Sequence, residues 1–126
     1  MKTICRIILP FHILPGWEFI KLHWSRQHAM RNDLIKLLMV CNARDEKYRC
    51  EPGTKRHVEI ISRRRRLIRD NVNLRIGAKP LIDAMVNVGL LYDDSDRYLE
   101  DRYSQEKLKP NAEPFTEIVV KEGGKQ

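Results

Sequence analysis

The sequence predicts an α/β protein: one two-layer β-α-β-α-β-β domain with a small mixed sheet and two main helices. Three observations lead there. Short β-branched segments alternate with longer segments of helical periodicity, Pro and Gly punctuate the junctions, and 126 residues suffice for one core but not two. The domain is expected over 1–122, with 123–126 as a frayed tail.

The first strand is "KTICRIILP", at about 2–9, stopped by Pro10 as an edge or central strand. Pro15-Gly16 then breaks "FHILPGWEFIKLHW" into a turn. "WSRQHAMRNDLIKLLMVCNA" reads as a helix that Ser25 caps, with Met30, Leu34, Leu37, Leu38 and Cys41 at helical spacing. Val58 and Ile60 alternate with His57 and Glu59, which predicts a strand over 55–63. An irregular stretch is expected from the arginines to Gly77. "KPLIDAMVNVG" forms the second helix, with Pro80 in its first turn and Gly89 as its C-terminal cap. Strands at 96–104 and 115–122 complete the order.

Composition narrows the function. Net charge is +7, unevenly spread: residues 1–69 carry 16 Lys and Arg against 6 Asp and Glu, whereas 70–126 carry 8 against 11. A basic surface of this kind suits a polyanion, most commonly nucleic acid. No apolar stretch reaches the ~20 residues that span a bilayer, and Pro10, Pro15, Arg6 and His12 interrupt the N-terminal apolar run. The expectation is a cytosolic protein with no membrane partner. Three cysteines, at 5, 41 and 50, include no C-x-x-C pair, so Cys5 and Cys41 are expected as buried thiols rather than disulfide or zinc ligands. Four histidines lack metal-ligand spacing on any one helix face. There is no Gly-rich phosphate loop and no Ser/His/Asp or Cys/His set, so no small-molecule cofactor is expected. The strand-like sequence between the two helices argues against a helix-turn-helix.

The chemistry concentrates in 62–96. "SRRRRLIRD" carries Arg63, Arg64, Arg65, Arg66 and Arg69, forks that match phosphate oxygens. A strand cannot turn all four consecutive arginines to one side, so about two of that run would serve a site. Asp70 precedes the second helix, and Asp93 and Asp94 follow it. The helix ends alone would not meet, but loops folded back on adjacent strands can converge. Oxygen ligands of this kind suit Mg²⁺, with Mn²⁺ as the alternative. The other reading of these carboxylates stays open: Asp70 as a helix cap and "DDSD" as a solvated turn. Lys79 begins a helix, where its charge opposes the macrodipole, so it faces either a phosphate or plain solvent.

"RRRRLIRDNVNLRIGAKPLIDAMVNVGLLYDDS" resembles the core motif of RusA-type Holliday-junction resolvases. That core holds an arginine-rich strand end, D-x-D-N-L, a lysine, an aspartate in the helix, a glycine and a paired D-D. Asp70, Asn73, Leu74, Lys79, Asp83, Gly89, Asp93 and Asp94 stand at matching positions, over about a quarter of the chain. The resemblance implies a phage- or prophage-encoded protein of the bacterial cytoplasm. It further implies a symmetric homodimer that binds four-way DNA junctions and nicks them with Mg²⁺ in recombination and repair. The apolar residues Trp17, Phe19 and Trp24 are in excess of one small sheet's needs, in keeping with a dimer. Asp70 and Asp94 become the leading metal ligands, Asp93 and Asn73 lesser ones, and Lys79 the catalytic helper; Asp83 either positions Lys79 or simply faces solvent. One departure matters: Val72 stands where the motif has its second carboxylate. It is expected to pack beneath the loop in a working variant of the site; a decayed site would leave a junction-binding protein that does not cut.

Overall fold

Alternation of apolar and polar residues along the strand segments leaves one sheet face to be covered and one to be wetted. The computed structural model, which describes residues 1–11, 13–41 and 45–123, resolves this pattern into one four-stranded mixed sheet. Its strands are β1 (Lys2–Leu9), β2 (Arg56–Arg64), β3 (Leu99–Lys107) and β4 (Phe115–Glu122), in the order β1-β4-β2-β3. β4 runs antiparallel to β1 and β2, while β3 lies parallel to β2. A parallel neighbour requires a crossover. Helices α3 (Asn71–Gly77) and α4 (Lys79–Asn87) provide it, and α1 (Gly16–Ile20) and α2 (Trp24–Val40) lie between β1 and β2.

The helices cover one sheet face. Leu9, Val58, Ile60, Ile118 and Val120 from the strands pack with Leu34, Leu38, Leu74, Leu81, Ile82 and Met85 from the helices. The opposite face carries charge, with Arg6 and Arg63 on Glu117 and Lys121 on Glu59.

The expected order holds with both expected helices in place as α2 and α4, but a further short helix precedes each of them. The stretch before Gly77 is not irregular: Asp70 caps it and α3 forms. Gly77 is required because an added Cβ would run into the Leu14 carbonyl oxygen, so α3 lies against the chain leaving β1. Gly16 begins α1 rather than a plain turn. His23, not Ser25, caps α2; its Nδ1 accepts from the Ser25 N–H at 3.2 Å. That helix ends at Val40, and residues 42 and 43 of the expected helix lie outside the described residues, as do residue 44 of the connector, His12 and 124–126 of the expected tail. β3 begins three residues late because the Tyr98 and Leu99 amides both bond the Ser95 carbonyl, closing a turn first. β1 is an edge strand. Among the thiols Cys50 is buried, Cys5 half-buried and Cys41 exposed, so the expected burial of Cys41 fails where α2 ends. Among the described residues no helix is long and apolar enough to cross a membrane.

Two arginines of β2 point into the covered face. Arg56 is 3% exposed and donates to the carbonyls of Tyr48 (2.5 Å), Leu90 (2.8 Å) and Arg49 (3.3 Å), with Glu122 at 3.2 Å. Arg64 donates to the carbonyls of Ile13 and Arg66, each at 2.7 Å. The Leu90 and Ile13 carbonyls are buried and would be orphaned if the guanidinium is removed, and each orphaned group costs ~1–3 kcal/mol. Arg56→Met is therefore expected to lower unfolding free energy by ~3 kcal/mol or more. Arg66→Ala, at an exposed position, should stay within about 0.5 kcal/mol of wild type. Urea denaturation of the two variants checks this, and equal midpoints would contradict it.

Candidate active site

α4 is nine residues long, about 13 Å, so residues flanking it meet only if the chain reverses tightly. Gly89 makes that reversal, with φ +88°. Leu90 N–H bonds the Met85 carbonyl at 3.0 Å and Gly89 N–H the Val86 carbonyl at 3.1 Å, a Schellman closure. Leu90 and Leu91 then enter the core, and Asp93 and Asp94 return along the helix. The Lys79 ammonium, from the first residue of α4, bonds Asp94 directly and reaches Asp83, one turn on, at 3.2 Å. The lysine that opposed the macrodipole is thus matched by two carboxylates. Asp83 pairs with Lys79 rather than facing solvent alone.

Asp94 stands between two clefts. One, of about 220 Å³, is lined by Arg75, Lys79, Ile82, Asp94, Leu99, Asp101 and Tyr103. The other, of about 410 Å³, is lined by Arg31, Asp83, Val86, Asn87, Asp93 and Asp94. In the first, the Tyr103 hydroxyl donates to Asp101 at 2.6 Å and Arg75 reaches the other Asp101 oxygen at 3.4 Å. Burial, and then the bond to Asp101, pushes the Tyr103 hydroxyl far above the ordinary tyrosine range, so it stays a donor. The bond from Lys79 holds the Asp94 carboxyl below its usual value. Burial works against the Lys79 charge, but the bonds to Asp94 and Asp83 outweigh it and raise its pKa.

The other predicted residues separate into groups. Asp70 and Asn73 are together: Asp70 Oδ1 accepts from the Asn73 N–H at 2.9 Å, and the Asn73 amide reaches both Asp70 oxygens. That pair is a helix cap, and neither residue lines the clefts that Asp94 borders. Among the described residues no three His, Cys, Asp or Glu side chains are grouped to hold a metal ion. The donor set therefore does not fit a metal caged by protein alone. It fits a Mg²⁺ that takes one or two carboxylates, here Asp94 and its neighbour Asp93, and keeps most of its water. Val72 is 66% exposed in the first turn of α3, so it does not pack beneath the loop.

The arginines divide as strand geometry requires. Arg63, on the open face, is held by Glu117 at 2.6 Å and Glu106 at 2.9 Å. Arg64 is buried. Arg65, Arg66 and Arg69 are exposed, and only Arg65 of these makes a side-chain bond among the described residues, to the Pro110 carbonyl at 3.3 Å. The turn carrying them is clasped to β3, because Gln105 accepts from Ile68 N–H at 2.6 Å and donates to its carbonyl at 2.9 Å. Leu99, Asp101, Tyr103 and Gln105 alternate along one side of β3, a period-2 signal by which the missed cleft residues were findable. Arg75 and Arg31 carried no such signal.

No family model matches this chain, and no curated protein matches it.

Two outcomes follow from this geometry. Asp94→Asn removes an exposed ion pair and should cost at most ~1 kcal/mol at neutral pH. A depressed carboxylate stabilises above its unfolded pKa and a raised lysine below its own. The wild-type advantage should therefore span about pH 4 to 10.4, fading as pH falls through the Asp94 value or rises through that of Lys79. Chemical denaturation across pH checks it; an advantage that persists at pH 2 would contradict the pairing. Val72→Asp adds an exposed carboxylate to a first helical turn, which favours it, and its melting temperature should equal or exceed that of wild type.

Proposed function

We propose that the protein is a structure-selective endodeoxyribonuclease of the RusA type, a homodimer that binds four-way DNA junctions and nicks them with Mg²⁺. The sequence resemblance supports this reading, and one structural observation carries it. β3 lines the cleft at Asp101 and Tyr103 and, by Gln105, holds the turn that exposes Arg65, Arg66 and Arg69. From Asp101 to Gln105 is ~13 Å of strand, about four base-pair steps of DNA measured along the helix axis at ~3.4 Å each. A backbone gripped by the arginine turn thus extends to the Lys79–Asp94 pair.

The roles follow from the bonds. Arg65, Arg66 and Arg69 neutralise phosphates without reading sequence. Lys79 stabilises negative charge gathering on the scissile phosphate. Asp83 keeps Lys79 in place when Asp94 turns to another cation. Mg²⁺, when bound, supplies Lewis-acid polarisation of the phosphodiester and a more acidic water. Asp94, with Asp93, would hold it.

A second reading, a junction-binding protein that does not cut, draws on the Asp70–Asn73 cap and on Val72, which together leave α3 without a free ligand. A labelled four-way junction, with and without Mg²⁺, separates the two. The expected result is nicking by wild type with Mg²⁺. Asp94→Asn should bind at least as tightly without metal, having lost a charge that repels phosphate, and should not cut. Wild type that binds yet never nicks in Mg²⁺ or Mn²⁺, while Val72→Asp does, would establish the second reading instead.

A further inference from the structure

Arg31 lies on the inner side of α2. Gln27, Arg31, Leu34 and Leu38 share one helical face, and the two leucines are buried. Gln27 spends its amide on the Phe19 and Leu22 carbonyls. Arg31 spends nothing on its Nε, which is buried and has no hydrogen-bond partner among the described residues. The other inward-facing arginines, Arg56 and Arg64, are bonded at Nε and Nη alike. Native structures rarely leave a buried donor unused, and a guanidinium cannot shed its proton to escape the cost.

The buried Nε is out of reach of a ligand, and it is the outer nitrogens of the guanidinium that have a partner to find. Arg31 lines the larger cleft with Asp83, Asp93 and Asp94, yet makes no ion pair with any of them. Lys79, the nearby ammonium, is already held by Asp83 and Asp94. Without Arg31 the cleft would present its three carboxylates against one committed lysine, a field that repels phosphate. Among the described residues, Arg31 is the cation lining this cleft that makes no ion pair. Its Nε is closed to solvent, so the fork that takes two phosphate oxygens at once is the one its two Nη atoms form.

We infer that Arg31 is a phosphate-clamping residue, which receives a DNA backbone phosphodiester at the cleft beside Lys79 and Asp94. The inference rests on the nuclease reading and adds a DNA contact from α2, outside the arginine run. Because it concerns binding, it is tested without metal.

The probe is a labelled four-way junction in EDTA, titrated at several salt concentrations against wild type, Arg31→Gln, Arg31→Lys and Lys36→Gln. Lys36 is exposed on the same helix, so it controls for bulk charge. Loss of one phosphate contact should lower the salt slope by about one and weaken binding about tenfold at moderate salt for Arg31→Gln. Arg31→Lys keeps the charge but not the fork, so its slope should hold while affinity falls a few-fold. Lys36→Gln should match wild type, and melting temperatures should agree across the set. If Arg31→Gln does not fold, the lysine variant decides: unaltered affinity there overturns the clamp. Arg31→Gln that folds and binds like Lys36→Gln overturns it too, while leaving the nuclease reading intact. Wild type that binds no DNA removes both.

Discussion

The Arg56 guanidinium, buried and permanently charged, must find acceptors inside the protein. It finds the Tyr48, Arg49 and Leu90 carbonyls and the Glu122 carboxylate, and so joins the central strand to the edge of β4, to the segment before β2 and to the return after α4. That return is reinforced by the bond from Cys50 N–H to the Gly89 carbonyl at 2.8 Å. Asp94 reaches Lys79 only because the chain reverses at Gly89, and Arg56 fixes the residue just beyond. The site is thus held from beneath by a side chain that never touches it. A buried charge makes a stiff tie, since loosening it would strand one cation and several carbonyls together.

The same logic divides the arginine run. Four consecutive arginines look like one basic patch, yet pleating sends Arg63 to the open face and Arg64 into the core. There one meets two glutamates and the other three oxygen acceptors. Only where β2 ends does the chain leave the pleat and expose Arg65, Arg66 and Arg69 together. The carboxylates beside this run escape neutralisation by it for a geometric reason: Asp70 is turned to its own helix and Asp94 is claimed by a lysine. What the run offers a polyanion is its turn, not its strand.

Much of the fold was legible because it follows from local rules. β1, β2, β4 and α4 appear at nearly their expected bounds, and Gly89 serves as the cap its position implied. The short helices α1 and α3, each placed before an expected one, were not legible. Gly77 and Gly16 each permit a close backbone or side-chain approach from elsewhere in the chain, which no local pattern announces. The start of β3 moved because a turn at Ser95 competed for the same amides. At the site, Lys79, Asp83 and Asp94 were identified and do meet, whereas Asp70 and Asn73 were identified and meet only each other. The Arg75–Asp101–Tyr103 network escaped notice because it joins a helix to a strand 26 residues away. Long-range partners of that kind are set by packing rather than by sequence spacing.

In the proposed function a DNA backbone would run from the arginine turn along β3 to the clefts flanking Asp94, on the helix-bearing side of the molecule. Amide and side-chain chemical shifts of labelled protein, followed as metal-free four-way junction is added, test this most directly. Perturbations are predicted at Arg65, Arg66 and Arg69, at Lys79 and Asp94, and at the Arg31 guanidinium. The open sheet face, where Glu59, Arg63, Glu117 and Lys121 satisfy one another, should stay silent. Shifts confined to that open face, or none at saturating DNA, would contradict the account.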